Sequence, residues 1–146
     1  MTDQPYSREL LRAAVGLADF PLAGRFDVLV DRPTPVCGSR ITLGLDVAAD
    51  GRVTRVGIGP HLCAFGQASA ALFARHAIGL RMVDLDTARD ALARWLDDET
   101  MPPPNWPEIA TLAAVRSYPA RHAAVLLAFE AGAEAARRAT NRSAAA

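Results

Sequence analysis

The feature of this sequence that most constrains its fold is a change of hydrophobic period near residue 60. Residues 41–47 alternate between apolar and polar or small side chains, which predicts a half-buried β-strand. Asp50-Gly51 predicts the turn of a hairpin, and residues 53–58 predict the returning strand. After Gly59-Pro60 the apolar residues recur every three or four positions, so the rest of the chain is predicted to be helical.

Two further elements are predicted before the hairpin. Ser7 is a good N-cap for a first helix, which Pro21 ends. Residues 25–30 alternate and predict a first strand, and the two prolines in residues 31–36 predict a loop after it. Three antiparallel strands are therefore expected to follow one helix.

Four helices are predicted after the hairpin. The first of them covers residues 63–78, Asp86 caps the next, residues 106–115 form a short one, and Ser117 with Pro119 opens the last. The order α-β-β-β-α-α-α-α indicates an α+β fold, a small three-stranded antiparallel sheet with helices packed on one face. One domain is expected over residues 1–146, with a folded core at about 7–139 and a frayed C-terminal tail.

The charge and composition exclude several classes of function. Sixteen basic and sixteen acidic residues cancel, so the chain lacks the basic footprint of a nucleic-acid binder. All the basic residues are arginine, which excludes Schiff-base and P-loop lysine chemistry. No signal-peptide pattern and no apolar run of about 18 residues is present, so neither secretion nor membrane insertion is predicted. A cytoplasmic location, where thiols stay reduced, is expected.

The two cysteines are predicted to meet at one edge of the sheet. Cys37 lies in the connection between the first two strands, and Cys63 lies after the third strand at the start of a helix. In an antiparallel meander these two positions fall at the same edge. The helix N-terminus stabilises a thiolate at Cys63, which predicts that Cys63 is the more reactive thiol. The alternative is that both cysteines are small buried hydrophobic residues.

Three motifs resemble those of the iron–sulfur cluster scaffold family that includes IscU, SufU and the N-terminal domain of NifU. Residues 35–38 (PVCG) are similar to the family motif N-P-x-C-G-D. Residues 63–71 (CAFGQASAA) are similar to G-C-A-I-S-x-A-S-A-S, and residues 119–124 (PARHAA) to P-x-R-x-x-C. The resemblance covers about residues 7–136, and the long segment 106–119 is more like SufU. It implies a protein that accepts sulfur from a cysteine desulfurase, holds a labile 2Fe–2S cluster, iron or zinc, and serves recipient apo-proteins.

The sequence departs from the family at several of the positions that hold metal there. Ser39 stands at the position of the family aspartate, and Ala124 at that of the third cysteine. Pro60 and Leu62 replace the two glycines before the second cysteine. Cys37 and Cys63 remain as the implied ligands of iron, zinc or a cluster, which normally need four donors.

Two histidines and one arginine are further candidates for this site. His61 precedes Cys63 by two residues, and His122 precedes Ala124 by two, so either imidazole is a candidate metal ligand. The alternative for each is a solvent-exposed position without a ligand role. Arg121 matches the family arginine, with a predicted accessory role in stabilising thiolates or contacting a partner. The IscU chaperone motif L-P-P-V-K keeps only Pro119, so chaperone recognition is not expected.

Three functions remain open from the sequence. The first is a scaffold for cluster assembly that binds metal as purified only in part. The second is a sulfur acceptor or desulfurase regulator that no longer builds clusters, since a persulfide relay requires one accessible thiol. The third is a metal-free interaction module. An enzyme with its own catalytic machinery is not expected, because no triad, metalloprotease or phosphate-loop signature is present.

Overall fold

The computed structural model of the protein describes residues 6–34 and 38–145, and side chains up to residue 142. The elements follow the predicted order of one helix, three strands and a helical second half. They are α1 (Arg8–Val15), β1 (Val28–Pro33), β2 (Arg40–Val47), β3 (Val53–His61), α2 (Ala64–Ala77), α3 (Met82–Asp97) and α4 (His122–Ala145), with 3₁₀ segments at Gly16–Asp19, Ile109–Ser117 and Pro119–Arg121. The prediction of an α+β fold is confirmed.

The three strands form an antiparallel meander in the order β1-β2-β3. Leu45 of β2 pairs with Val28 on one side and with Val56 on the other, and Leu43 likewise pairs with Val30 and Ile58. These apolar residues are all buried and share one face of the sheet, as the alternation of the sequence predicts. The first strand begins and ends three residues later than predicted, because pairing with β2 extends it to Pro33, at the sheet edge where a proline is tolerated.

Helices α2 and α4 cover the apolar face of the sheet and pack tightly against each other. A Cβ atom added to Gly132 of α4 would lie 2.1 Å from Cζ of Phe73 in α2, so glycine is needed for this approach. The Ser69 hydroxyl donates a 2.6 Å hydrogen bond to the Val125 carbonyl across the same contact. This crossing fixes the first turn of α4 relative to the first turn of α2, which positions the candidate site.

The opposite face of the sheet is covered in part by one aromatic ring. Gly44 and Gly57 are paired across β2 and β3, and Cβ atoms on them would lie 2.5 and 2.3 Å from ring atoms of Phe26. The Arg55 guanidinium lies 3.9 Å from the centre of the same ring on its other side. The Phe26 ring therefore packs directly on the backbone of the two glycines. This contact holds the segment before β1 on this face of the sheet.

The outer edge of β1 is covered by arginines from the C-terminal helix. Arg138 Nη1 donates to the Leu29 carbonyl at 3.5 Å, and Arg142 Nη1 donates to the Asp27 carbonyl. An uncovered strand edge offers its carbonyls to other chains, so these contacts occupy a surface that would otherwise be open to pairing. In the part of the chain that the structure describes, no helix has the length and hydropathy to cross a membrane.

Several predicted boundaries differ from the structure. Ser7 caps α1 as predicted, with its side chain accepting from the Leu10 amide. Asp86 does not cap α3, which begins four residues earlier where Asp84 accepts from the Arg81 amide at 2.9 Å. The predicted short helix at 106–115 is a 3₁₀ segment, Ile109–Ser117. The last helix, predicted to open at Ser117 and Pro119, begins at His122 after a 3₁₀ segment at Pro119–Arg121.

Candidate thiol site at one edge of the sheet

The strand register brings two chain connections together at one edge of the sheet. Arg40, the first residue of β2, is opposite Pro33 of β1 on one side and His61 of β3 on the other. The connection between β1 and β2 and the connection from β3 into α2 therefore meet here, as the topology predicted. The Thr34 amide donates to the Ser39 carbonyl at 2.8 Å and closes the base of the first connection. Cys37 belongs to that connection but lies outside the described residues.

An open cavity of about 320 Å³ lies at this edge. It collects side chains and backbone from both connections, from the first turns of α2 and from the 3₁₀ segment before α4. Its described lining residues are Gly38, Ser39, Pro60, His61, Leu62, Cys63, Gln67 and Arg121. Three of the residues predicted to form the site, namely Cys63, His61 and Arg121, therefore line one cavity.

Cys63 occupies the N-cap position of α2. Its backbone is extended, with φ −69° and ψ 171°, and its side chain makes no capping hydrogen bond to the first amides of the helix. The thiol is half-buried and free. Gln67, one turn further on, donates from its amide Nε2 to the Leu62 carbonyl at 3.0 Å and from its backbone to the Cys63 carbonyl at 2.8 Å. The backbone around Cys63 is therefore held by hydrogen bonds at the place where the residue lines the cavity.

The cavity carries a cation and, among its described lining residues, no carboxylate. Arg121 is half-buried at the end of the 3₁₀ segment, where its amide donates to the Tyr118 carbonyl at 2.9 Å. No described carboxylate lies within ion-pair distance of its guanidinium. Arg40 lies nearby but donates hydrogen bonds of 2.6 and 2.8 Å to Asp31. These bonds hold the pKa of the Asp31 carboxyl below its ordinary value.

The two candidate histidines lie in different environments. His61 is exposed and lines the cavity beside Cys63. The Nε2 of His122 donates to the Val115 carbonyl at 2.9 Å, and its Nδ1 lies 3.6 Å from Asp97 Oδ1. The side chain of His122 is only 12% exposed and does not line the cavity. The structure thus brings His61 to the site, while both ring nitrogens of His122 face other partners.

The two positions where the family carries further ligands are both buried. Ser39 is 5% exposed and lines the cavity. Ala124 is 1% exposed, in the first turn of α4, and its carbonyl lies 3.3 Å from the place of a Cβ on Gly66. Ala124 packs against α2 and is not part of the cavity lining.

The donors present do not make a closed metal site. Within residues 6–34 and 38–145, no group of three or more His, Cys, Asp or Glu side chains is placed to hold a metal ion. The cavity offers the Cys63 thiol and the His61 imidazole, and Cys37 directly precedes its lining residue Gly38 in the sequence. A tetrahedral zinc takes four donors, so even with Cys37 a metal here would keep at least one position for water or a partner.

Gln67 lines the cavity although it was not predicted as a residue of the site. The sequence did contain a signal for it, because Gln67 lies four residues after Cys63, and on a helix that spacing places two side chains on one face.

A second, apolar groove of about 660 Å³ adjoins the thiol cavity and shares Pro60 and Gln67 with it. It lies between the end of α1 and the second half of β3, and nothing in the sequence pattern indicated it.

The fold and site define a class: a small α+β domain that presents a thiol in an open polar cavity at one edge of a three-stranded sheet. No protein-family model and no curated protein matches the sequence. The crystal structure of a nitrogen-fixing NifU-like protein (N-terminal) from Brucella abortus is similar, with a TM-score of 0.84 and 33% identity over 93% of this chain and 94% of that one. The chain belongs to the family of IscU, SufU and NifU-like N-terminal domains.

More distant structures share the fold. A candidate iron–sulfur cluster assembly scaffold protein for the SUF system, from Fervidobacterium islandicum AW-1, has a TM-score of 0.77 and 20% identity, covering 90% of this chain and 96% of its own. A hypothetical protein solved at 2.3 Å resolution has a TM-score of 0.67 and 19% identity, covering 87% and 98%. At these identities the likeness concerns the fold alone.

Proposed function

We propose that this chain acts in iron–sulfur cluster assembly as a scaffold or carrier and not as a catalyst. It accepts sulfur from a cysteine desulfurase at Cys63 and holds iron, zinc or a labile 2Fe–2S cluster as cargo between Cys63 and Cys37, for transfer to recipient apo-proteins. The observation that carries the proposal is the free Cys63 thiol, half-buried in a cavity built by both connections at the sheet edge. Membership of the NifU-like family supports it, and its thiol chemistry requires a reducing compartment such as the cytoplasm.

The incomplete donor set makes the cargo labile. Cys63, Cys37 and His61 supply at most three donors, and neither Ser39 nor Ala124 replaces the missing charged ligands. Full structural zinc sites in small domains are worth on the order of 10–16 kcal/mol, and each lost thiolate or carboxylate removes a bond and a negative charge. Iron–sulfur clusters suffer more than zinc because they depend on thiolates.

Metal analysis of the anaerobically purified protein tests the scaffold role. We expect the purified protein to contain less than one metal ion per chain. After treatment with iron and sulfide, we expect a cluster that chelators remove easily. The Cys63→Ser and Cys37→Ser variants should each lose most of this metal. The double variant Ser39→Asp with Ala124→Cys should raise metal occupancy, measured by inductively coupled plasma mass spectrometry.

Two results would contradict the scaffold role as stated. One is a tight, chelator-resistant metal in the unmodified protein, which would require a ligand set beyond the residues named. The other is a double variant that folds with the same melting temperature and binds no more metal. Because Ala124 is buried against α2, circular dichroism is first used to check that the double variant is folded.

A second function, sulfur acceptor without cluster building, is favoured by one specific observation. The cavity holds a thiol and a cation, and its described lining contains no carboxylate to attract a metal ion. Cys63 should then be alkylated before Cys37 by limiting iodoacetamide, read by mass spectrometry of the peptides. Preferential labelling of Cys37 would count against Cys63 as the acceptor. The third possibility, a module with both thiols buried, is disfavoured by the half-buried Cys63.

A further inference from the structure

Among the described residues, the thiol cavity places a positive charge beside the Cys63 thiol. The Arg121 guanidinium has no carboxylate within ion-pair distance among the described side chains, and the only ionisable described neighbours in the lining are His61 and Cys63. The other described lining residues are neutral, and they include the polar amide of Gln67. A half-buried guanidinium without an acidic partner favours a bound carboxylate, which it can meet with two parallel hydrogen bonds.

The dimensions of the cavity limit the ligand to a small molecule. Its volume is about 320 Å³, room for on the order of ten water molecules at roughly 30 Å³ each, and it opens to solvent. Polar groups dominate the lining, whereas the adjoining groove beside α1 is apolar. A ligand of amino-acid size, with a carboxylate at one end and sulfur at the other, matches Arg121 and Cys63 together.

We propose that this cavity binds a small anionic persulfide, of the class of cysteine hydropersulfide, and transfers its outer sulfur to Cys63. The inference deepens the proposed function and rests on its assignment of Cys63 as a sulfur acceptor. The carboxylate of the donor binds Arg121, and this contact orients the persulfide toward the thiol. Gln67 keeps the backbone around Cys63 in place through its bond to the Leu62 carbonyl.

The transfer needs no further reactant. The Cys63 thiolate attacks the outer sulfur of the donor, R–S–SH, so that one S–S bond forms to Cys63 as the S–S bond of the donor breaks. The proton stays on the outer sulfur, and the donor leaves as the thiolate R–S⁻. The sulfur atoms exchange partners without net oxidation or reduction. The product is a persulfide on Cys63, the same species that a desulfurase would form there.

The test compares two donors and two arginine variants. The full chain is incubated without oxygen with cysteine hydropersulfide or with its methyl ester, and the gain of one sulfur on the Cys63 peptide is followed by mass spectrometry. For the unmodified chain the acid should react about ten-fold faster than the ester, because a hydrogen bond to a charged group is lost in the ester. Arg121→Gln should slow the reaction with the acid by a similar factor and remove the preference over the ester.

A matched control and a second donor make the outcomes distinguishable. Arg25→Gln removes an exposed arginine outside the cavity and should leave both rates unchanged. The inference is overturned if the acid and the ester react equally, or if Arg121→Gln keeps the preference. A desulfurase-bound persulfide provides the second arm. If it loads Cys63 while the small persulfide does not, only this inference fails. If it does not load Cys63, the desulfurase partnership in the proposed function fails.

Discussion

The middle of α2 and its N-terminal end lie in different environments. In its middle, Phe73 is fully buried between Trp106 and Phe129, with ring centres 5.9 and 5.3 Å away, and it rests on Gly132. At its N-terminal end, Cys63 and Gln67 line an open polar cavity, and Cys63 is half-buried. The interior half is determined by shape, because each ring fits a space that no other side chain fills as well. At the N-terminal end, Cys63 and Gln67 instead present polar groups to the cavity.

The contrast explains how the fold persists while the ligand set does not. Ser39, Pro60 and Leu62 differ from the family motifs and line the cavity, where a change of side chain alters donors and leaves the helix crossing intact. The fourth departure, Ala124, is a small residue buried against α2. Around Phe73, by contrast, a change of side chain would disturb the packing of α2 against α4. The packing around Phe73 and the polar groups at the cavity therefore depend on different residues, and we expect substitutions to change one without the other.

The largest effect is expected from Phe73→Ala. Removing a buried aromatic ring leaves a cavity that its neighbours fill only in part, so the free energy of unfolding should fall by about 3–5 kcal/mol. Cys63→Ala, at the other end of the comparison, should change it by less than about 1 kcal/mol while abolishing sulfur loading. Urea unfolding followed by circular dichroism measures both. Equal losses for the two variants would contradict the division of α2 into two regions.

A smaller effect is expected from Gly132→Ala. Its new Cβ would lie 2.1 Å from the Phe73 ring, which neighbouring rings prevent from moving, so overpacking of about 1–3 kcal/mol exceeds the gain of up to about 1 kcal/mol in helix propensity. Gly16→Ala is the matched control, because its Cβ would meet only the flexible end of Arg75 at 2.8 Å. Thermal unfolding should show a lower melting temperature for Gly132→Ala alone. A Gly132→Ala protein as stable as the unmodified chain would mean that the crossing is looser than described.

The smallest effect concerns the C-terminal end of α2. Glu108 accepts hydrogen bonds from His76 and Arg75, both at 3.1 Å, and the bond from His76 is the main cause that lowers the pKa of Glu108 below its ordinary value of 4.5. A lowered folded-state pKa adds stability that is present above about pH 4.5 and is lost as the pH falls through the lowered value. Because the carboxylate is half exposed, the contribution is at most about 1 kcal/mol.

Glu108→Gln tests this contribution. The variant should be slightly less stable at neutral pH and should approach the unmodified protein as the pH falls well below 4.5. Glu99→Gln, at an exposed residue of the loop before Met101, is the control and should show no such convergence. Unfolding in urea across this pH range provides the measurement. A constant difference at all pH values would assign the effect to packing.

The sequence predicts the sheet well because its signals are local. Alternation over residues 41–47 assigns the buried face, and the turn at Asp50-Gly51 fixes the register that later brings Ser39 and His61 to one edge. Where the start of a helix was predicted wrongly, a second local signal decided it. Asp86 satisfies the rule for a cap, but α3 begins earlier, where Asp84 reaches the Arg81 amide.

The placement of the candidate site residues could be predicted only in part. Cys63 and Arg121 follow from motif position, and the cavity contains both. The orientation of His122 does not follow, because it depends on the Ile109–Ser117 segment, whose Val115 carbonyl accepts from its Nε2. That segment is a 3₁₀ helix whose acceptor lies seven residues before His122, and no local pattern specifies which way the imidazole turns.

The arginines that cover β1 also affect the order in which parts of the chain fold. Arg142 and Arg138 bond to carbonyls more than one hundred positions earlier in the chain, at Asp27 and Leu29. Contacts of such sequence separation close late, because a long loop must be ordered before they form. During synthesis the first strand therefore leaves the ribosome well before the helix that covers its edge. In that interval the exposed edge is open to pairing with another nascent chain, and the completion of α4 ends that exposure.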